Sequence, residues 1–346
     1  MSKRLGVPVR PILESGLAVV IGIIVGAFLM LAFGYDPIRA YAALFIGAFG
    51  SPAGILESLA FAVPLMATAI TFAVGVRAAL FNIGAEGQMY LGAIGAIIVG
   101  SAMLLPAGIH PIAATLFAML LGAFWALPAA LLKIWRGVHE VVSTIMLNWI
   151  AFWLVSFLIR TYLAEPGRAE RAMPALPTAR YPILGETLTA IVFFVVGVCI
   201  LVTILLWRTG VGLELRLVGD NPEAAKYAGA SRSRAILVSF GVGGLAAGLA
   251  GASQVLGRPP SWTIYGTLGN LLNLGFDGIG VALIGRNHPI GGIFAAIFYG
   301  GLVHGGRFME YNVGVASELV DAINGIIVIA LAAPEVIAII RRRRES

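Results

Sequence analysis

Ten apolar segments, most of them close to 20 residues long, follow one another along the chain. A helix needs about 20 apolar residues to cross a bilayer, because each residue rises 1.5 Å and the hydrocarbon core is about 30 Å thick. The sequence therefore predicts an all-α, polytopic transmembrane helical bundle of about 10 spans, with eight as the lower bound. The predicted spans are residues 15–34, 56–76, 83–105, 112–132, 141–163, 188–207, 235–256, 271–284, 290–304 and 319–340.

Three apolar segments are shorter than the rest. Residues 38–50 are too few to span, and we expect them to form an interfacial or partial helix. Residues 271–284 and 290–304 are also short, and the polar residues 286–289 (Arg-Asn-His-Pro) join them. In an alternative interpretation, one of these two segments is re-entrant and does not cross the membrane.

The composition excludes most other classes of protein. Hydrophobic residues make up 59% of the chain and charged residues 12%, whereas soluble domains carry about 25% charged residues. A soluble fold of this size needs charged side chains on its surface. The single cysteine, Cys199, cannot form an internal disulfide. A soluble enzyme, a disordered chain and a secreted disulfide scaffold are therefore excluded.

Sequence motifs for catalysis, metal binding and nucleotide binding are absent. The chain has no glycine-rich loop ending in Gly-Lys-Ser/Thr, no His-Glu-x-x-His and no Gly-x-Ser-x-Gly. Its four histidines are scattered without the spacing of metal ligands. We therefore expect no catalytic residue, no metal and no cofactor.

The basic residues indicate an orientation. With ten spans and the amino terminus inside, 16 of the 23 lysines and arginines fall on the cytoplasmic side, as expected because basic loops resist translocation. Both termini are then cytoplasmic. The net charge of +6 reflects this topology rather than nucleic-acid binding. Lys3 and Arg4 precede the first span, and the four arginines 341–344 anchor the last one beside anionic lipid.

An internal repeat divides the chain. Residues 82–87 (Asn-Ile-Gly-Ala-Glu-Gly) and 273–278 (Asn-Leu-Gly-Phe-Asp-Gly) share the pattern Asn, aliphatic, Gly, any residue, acid, Gly. In the predicted topology the two copies run in opposite directions, and inverted repeats with Gly-broken helices are typical of transporters. We expect one transmembrane domain over residues 1–346, with half-repeats at about 15–163 and 188–340. Outside the spans we expect an external loop or short surface helix at 164–187 and a cytoplasmic loop at 208–234.

The acids of the repeat, Glu86 and Asp277, lie at or within apolar stretches. A charge inside the membrane is costly and normally faces protein or a water-filled interior. Either each carboxylate caps a broken helix or pairs with Arg77 or Arg286, or it contacts a solute. Thr144 and Asn148 lie four residues apart on one helix face, and they line a pathway or bond to a neighbouring helix.

The cytoplasmic loop contains a predicted short helix at residues 220–229. Asp220 or Asn221 can cap its first N–H groups, and Pro222 suits the first helical position. Glu223 complements the helix dipole, and Gly229 can take the left-handed stop conformation. So short a helix needs a surface to lie against, either its own membrane domain or a cytoplasmic partner.

Four sequence blocks resemble one family. Residues 81–88 (Phe-Asn-Ile-Gly-Ala-Glu-Gly-Gln), 140–148 (Glu-Val-Val-Ser-Thr-Ile-Met-Leu-Asn), 218–229 and 275–286 look like the blocks of ABC-importer permease subunits. The closest branch is the nucleoside and simple-sugar group, which is related to the ribose and branched-chain amino-acid permeases. The four blocks occur in family order, whereas the first 80 residues carry little signature.

The resemblance implies a permease, not an enzyme, in a bacterial inner membrane. It implies two cytoplasmic ATP-binding subunits, a second permease subunit that is a paralogue or an identical copy, and an external solute-binding lipoprotein. The solute would be a nucleoside, or else a simple sugar. The implied substrate pathway lies near Asn82, Glu86, Gln88, Thr144, Asn148, Asn273 and Asp277. The implied coupling helix, which receives the ATPase motion, contains Asp220, Asn221, Pro222, Glu223, Lys226, Tyr227 and Gly229.

A second hypothesis is an ion-coupled secondary transporter. In that case Glu86 and Asp277 would bind protons or cations. The energy source separates the two hypotheses, because ATP depletion stops an ABC importer and loss of the ion gradient stops an ion-coupled carrier.

Overall fold

The computed structural model describes residues 9–345, and it describes the side chains of residues 20–331. The residues predicted to anchor the two ends, Lys3 and Arg4 and the side chains of arginines 341–344, lie outside these ranges. The described helices are α1 (Val9–Ala32), α2 (Pro37–Phe49), α3 (Pro52–Arg77), α4 (Ala85–Ala102), α5 (Ile109–Arg136), α6 (Glu140–Leu158), α7 (Ile191–Arg208), α8 (Gly210–Asp220), α9 (Pro222–Tyr227), α10 (Arg232–Leu256), α11 (Leu274–Ile284), α12 (Pro289–Val313) and α13 (Ser317–Glu345).

The predicted helical class is confirmed, whereas the predicted number of spans is not. Six described helices are long and apolar enough to cross a membrane: α3, α5, α6 with the π-helical turn Ile159–Leu163 that continues it, α7, α10 and α12. The segment Val20–Ala32 of α1, with α2 and α11, is apolar but shorter. About ten spans and the inverted repeat therefore remain predictions.

The two short spans predicted near the carboxyl terminus differ in length. Helix α11 has 11 residues, or about 16 Å at 1.5 Å per residue, which is half of a bilayer core. Helix α12 has 25 residues and continues well past the predicted end at residue 304. Hydropathy reports contact with lipid rather than helicity, so the polar residues 304–312 ended the predicted span without ending the helix.

Residues 59–300 form one compact unit. Its centre is the packing of α4, α5 and α10, which meet through glycines. A methyl group added at Gly92 would lie 2.7 Å from the carbonyl oxygen of Gly248, and one added at Gly122 would lie 2.7 Å from the Gly248 Cα. Small residues let membrane helices approach to backbone contact, which increases their van der Waals attraction. Nearly all of α4 is buried as a result.

Residues 1–58 and 301–346 form the other unit. Within its described part, α1 packs along α13, with Gly22 against Ile327 and Ala330. The hydroxyl of Tyr41 donates a hydrogen bond of 2.8 Å to the carbonyl of Ile23, which ties α2 to α1. Helix α2 begins where Asp36 caps it and Pro37 occupies its first turn.

The segment between α6 and α7 contains strands, not the surface helix that the sequence left open as an alternative. Strands β1 (Ala164–Glu165) and β2 (Arg168–Ala172) pair antiparallel, as do β3 (Ile183–Gly185) and β4 (Leu188–Thr189). The 3-10 turn Pro177–Ala179 lies between the two pairs. Such short strands carry too little alternation for a sequence pattern to reveal them.

Candidate functional site

The first copy of the repeated motif forms the turn from α3 into α4. The Asn82 Oδ1 accepts hydrogen bonds from the backbone N–H of Gly84, at 2.9 Å, and from the Gln88 Nε2, at 3.2 Å. Asn148 on α6 holds the same turn, because its Nδ2 donates to the carbonyl of Ile83 and its Oδ1 accepts from the N–H of Gly87, both at 2.9 Å. The turn is therefore fixed by buried amides from two helices.

The second copy of the motif begins α11, and Glu86 caps it. The Glu86 Oε1 accepts the N–H of Asn273 and its Oε2 accepts the N–H of Gly275, both at 2.6 Å. The hydroxyl of Tyr90, one turn along α4, donates to Oε1 at 2.5 Å. A carboxylate at a helix amino terminus satisfies free N–H groups and complements the dipole. Glu86 is thus a helix cap in the structure, which is one of the roles that the sequence left open for it.

The two motifs cross at backbone contact. A methyl group added at Gly275 would lie 2.5 Å from the Cα of Glu86 and 2.6 Å from its Oε2. Asn273 adopts a left-handed conformation, with φ of 69°, which the short polar side chain of asparagine tolerates. The crossing therefore requires glycine at position 275, and asparagine suits the left-handed residue two positions before it.

Asp277 plays a related part in the second motif. It lies in the first turn of α11, as Glu86 lies in the first turn of α4. Its Oδ1 accepts a 2.6 Å hydrogen bond from the hydroxyl of Tyr299 on α12. Each motif thus starts a helix, and each acid accepts a tyrosine hydroxyl.

A cavity of about 370 Å³ opens beside the crossing. Its floor carries a few polar groups, and the rest of its wall is aromatic and aliphatic. Ligand pockets commonly have this size and this combination of apolar wall and few polar groups. The lining residues are Glu86, Tyr90, Ile145, Asn148, Trp149, Phe152, Thr267, Leu272, Asn273 and Phe276.

Three of the seven residues predicted for the pathway line this cavity: Glu86, Asn148 and Asn273. The other four are outside its lining. Asn82 and Gln88 are buried and hydrogen-bonded to each other, and Asp277 accepts a hydrogen bond from Tyr299. Thr144 donates to the carbonyl of Glu140 in its own helix, at 2.8 Å, as buried threonines in helices often do.

The aromatic wall was missed from the sequence. The sequence analysis assigns no role to the four aromatic residues of this wall, which are Tyr90, Trp149, Phe152 and Phe276. Spacing could have revealed two of them, because Tyr90 lies four residues after Glu86 and Phe152 lies four after Asn148, which places each pair on one helix face.

A buried ion pair beneath the first motif was also missed. The Lys133 Nζ lies 2.7 Å from the Glu140 Oε2, and the Glu140 Oε1 accepts the N–H of Phe81 at 3.3 Å. The side chains of Lys133 and Glu140 are 16% and 5% exposed, so the charges need each other. Opposite charges on the two sides of Gly137, where α5 ends, were the signal in the sequence.

The loop between α7 and α10, predicted to be cytoplasmic, contains the short helix α9, preceded by α8. Asn221 is its cap, since the Oδ1 accepts the N–H groups of Glu223 and Ala224 at 3.1 and 3.0 Å. Asp220 belongs to the end of α8, not to this helix as predicted. Gly229 is left-handed after the last turn, as predicted. Of the residues in this helix only Ala225 is buried, and the Tyr227 side chain is 93% exposed.

Six described helices of spanning length and apolar composition define a polytopic membrane protein. The sequence model of the branched-chain amino acid transport system / permease component matches residues 54–332. The chain belongs to this family.

Three relatives with similar sequences are themselves permeases. The chain is 35% identical to the guanosine ABC transporter permease protein NupP of Bacillus subtilis, over 96% of this chain and 95% of that protein. It is 32% identical to the nucleoside ABC transporter permease protein NupB of Lactococcus lactis, over 95% and 93%. It is also 32% identical to the glucose ABC transporter permease protein TsgB13 of Haloferax volcanii, over 92% and 86%. No solved structure gives a significant match.

Proposed function

We propose that the chain is the membrane permease subunit of an ATP-driven importer for nucleosides. Family membership carries the transport role. The nucleoside relatives and the cavity support the solute class. A planar base can stack on aromatic rings, whereas a simple sugar has no such ring and places more hydroxyls against a mostly apolar wall. Simple sugars remain the second candidate, in line with the glucose relative.

The seven predicted pathway residues divide into two roles in this proposal. Glu86, Asn148 and Asn273 form the polar floor over which the solute passes. The other four residues do not line the cavity and instead hold the polar floor in position; they are Asn82, Gln88, Thr144 and Asp277. The support is the hydrogen-bond network around the crossing, in which Asn148 and Glu86 already have backbone partners.

An aromatic substitution tests the solute site. Trp149→Leu removes a stacking surface from the cavity, and we expect uptake of a labelled purine nucleoside to fall about tenfold, since base stacking is worth about 1–3 kcal/mol. Trp153→Leu is the matched control, because Trp153 is 66% exposed and is not among the lining residues. Equal uptake by the two variants would remove the cavity from the solute path.

We further propose that α9 is the coupling helix, docked on one of two cytoplasmic ATP-binding subunits. The support is its exposure: Pro222, Glu223, Lys226 and Tyr227 are all exposed around a capped turn too short to be stable alone. A second permease subunit and an external solute-binding lipoprotein would complete the importer, in a bacterial inner membrane with both termini cytoplasmic.

Crosslinking tests this docking. The native Cys199 is fully buried, so Glu223→Cys gives a single accessible thiol in the described side chains. We expect it to crosslink to a cysteine-bearing ATP-binding subunit in at least one nucleotide state. Leu104→Cys, which is 89% exposed in the linker between α4 and α5, is the control and should not crosslink. No Glu223 crosslink in any nucleotide state would contradict the docking.

The ion-coupled alternative is less well supported. Both oxygens of Glu86 already accept short hydrogen bonds, so the carboxylate has little free capacity for a cation. Uptake into reconstituted vesicles decides the matter: transport by the chain alone, driven by an ion gradient without ATP, would refute the importer.

A further inference from the structure

A cluster of contacts ties the end of α3 to the turn after α11. The Arg77 Nη2 donates to the carbonyl of Asn287 at 3.0 Å, and the Nε donates to the same oxygen at 3.3 Å. The Nη2 also lies 3.4 Å from the carbonyl of Arg286. The guanidinium carbon is 5.2 Å from the ring centre of Trp207, which stacks on His288 with centroids 4.4 Å apart.

The turn held by this cluster is a strained one. Arg286 and Asn287 have φ angles of 55° and 52°. Left-handed residues other than glycine cost energy and persist only where their surroundings hold them. The planar guanidinium of Arg77 supplies such a hold, because its donors reach both carbonyls while its face packs on an aromatic ring.

Helix α8 touches the same residue from the cytoplasmic loop. Gly219, in the last turn of α8, lies so close to the backbone of Arg77 that an added methyl group would meet the Arg77 carbonyl and lie 3.2 Å from the Cα of Ala78. Helix α9 starts three residues later. A displacement of the α8–α9 segment therefore reaches Arg77 directly.

The opposite end of α11 reaches the cavity. Leu272, Asn273 and Phe276 belong to its lining, and Glu86 caps the helix there. Thr68 adds a hydrogen bond of 3.0 Å to the carbonyl of Leu274. Helix α11 has 11 residues and is held by hydrogen bonds at both ends, so it should move as a rigid unit, or strut, about 16 Å long.

We propose that α11 is the strut that transmits movement of the α8–α9 segment to the solute cavity, and that Arg77 is the positioning residue that engages it. The proposal rests on the ATP-driven importer proposed above. Displacing α8 shifts Arg77, Arg77 carries the turn at Arg286 and Asn287, and α11 then moves Asn273 and Phe276 in the cavity wall.

The test is the number of labelled purine nucleoside molecules moved per ATP hydrolysed by the complete importer in proteoliposomes. For Arg77→Gln we expect this ratio to fall at least tenfold while the rate of ATP hydrolysis stays within about twofold. Arg77→Lys should be intermediate, since lysine keeps the charge and loses the planar fork. Arg208→Gln, which removes an exposed arginine from the end of α7, is the matched control and should keep the wild-type ratio.

A second variant covers the case in which Arg77→Gln does not assemble. Trp207→Leu leaves the hydrogen bonds of Arg77 in place and removes its aromatic support, so we expect a severalfold lower ratio. Wild-type ratios in both variants, or an equal fall in Arg208→Gln, would overturn the transmission role and leave the importer intact. Wild-type uptake without ATP would instead refute the importer.

Discussion

The cap that Glu86 places on α11 can be measured through Glu86→Gln. Glutamine keeps one oxygen, which can still accept from Tyr90 and Asn273, but its amide group then faces the N–H of Gly275 at the 2.6 Å contact. The glutamine NH2 group and the Gly275 N–H are both donors, so they cannot form a hydrogen bond with each other. Losing a hydrogen bond to a charged acceptor and leaving a buried N–H unsatisfied costs about 2–3 kcal/mol.

Hydrogen exchange is the direct assay, because local opening of the cap exposes the amides of Asn273 and Gly275. A loss of about 2–3 kcal/mol corresponds to about 30- to 160-fold faster exchange in the peptide covering residues 271–278. Tyr90→Phe is the matched variant: it removes one donor and keeps both backbone bonds, so exchange should rise about fivefold, for about 1 kcal/mol.

The result that refutes the cap is unchanged exchange in this peptide of Glu86→Gln. Equal effects of Glu86→Gln and Tyr90→Phe would also contradict it, because the backbone bonds would then contribute nothing beyond the tyrosine. A peptide from α7 serves as the internal reference, since α7 has no part in the cap.

Three further outcomes follow from the described contacts. Gly248→Ala should destabilise the chain by about 1–3 kcal/mol in thermal melts, since the added methyl would lie 2.8 Å from the Met119 Cα, whereas Gly241→Ala on the same helix has open space and should be neutral. Lys133→Met should cost about 3–5 kcal/mol by stranding a buried carboxylate, and adding Glu140→Gln should restore most of it. Burial, and then the charge of Arg77, lower the pKa of His288 in the folded chain. Because the unfolded chain then binds the proton more tightly, the stability of the fold should decrease as the pH drops below about 6.5. The decrease should be smaller in His288→Asn.

The local features of the site could be predicted from the sequence. Asn221, Pro222 and Gly229 specify the start and stop of α9 through groups within a few residues of each other, and capping is a local interaction. The repeated motif was visible because Asn, Gly and an acid are uncommon together in an apolar stretch. Its two copies do start helices, although the inverted relation between them stays a prediction.

The long-range features could not be predicted. The partner of Glu86 lies 187 positions away, and nothing in either motif specifies that the acid of one caps the helix of the other. The polar residues 304–312 of α12 were left out of the predicted span, because hydropathy measures the solvent preference of side chains and not backbone hydrogen bonding. The cavity depends on which faces of α4, α6 and α11 meet, and a single sequence does not determine this.

The glycine contacts of α4, α5 and α10 have a mechanical consequence. Helices whose backbones touch at several points along their length cannot slide or separate slightly, because there are no side chains between them to change rotamer and take up the displacement. These three helices should therefore behave as one block during the transport cycle. Helix α11 differs, since it meets α4 where Gly275 crosses Glu86 and can turn about that point. We expect rearrangement at surfaces lined by larger side chains, such as the cavity wall that contains Trp149, Phe152 and Phe276.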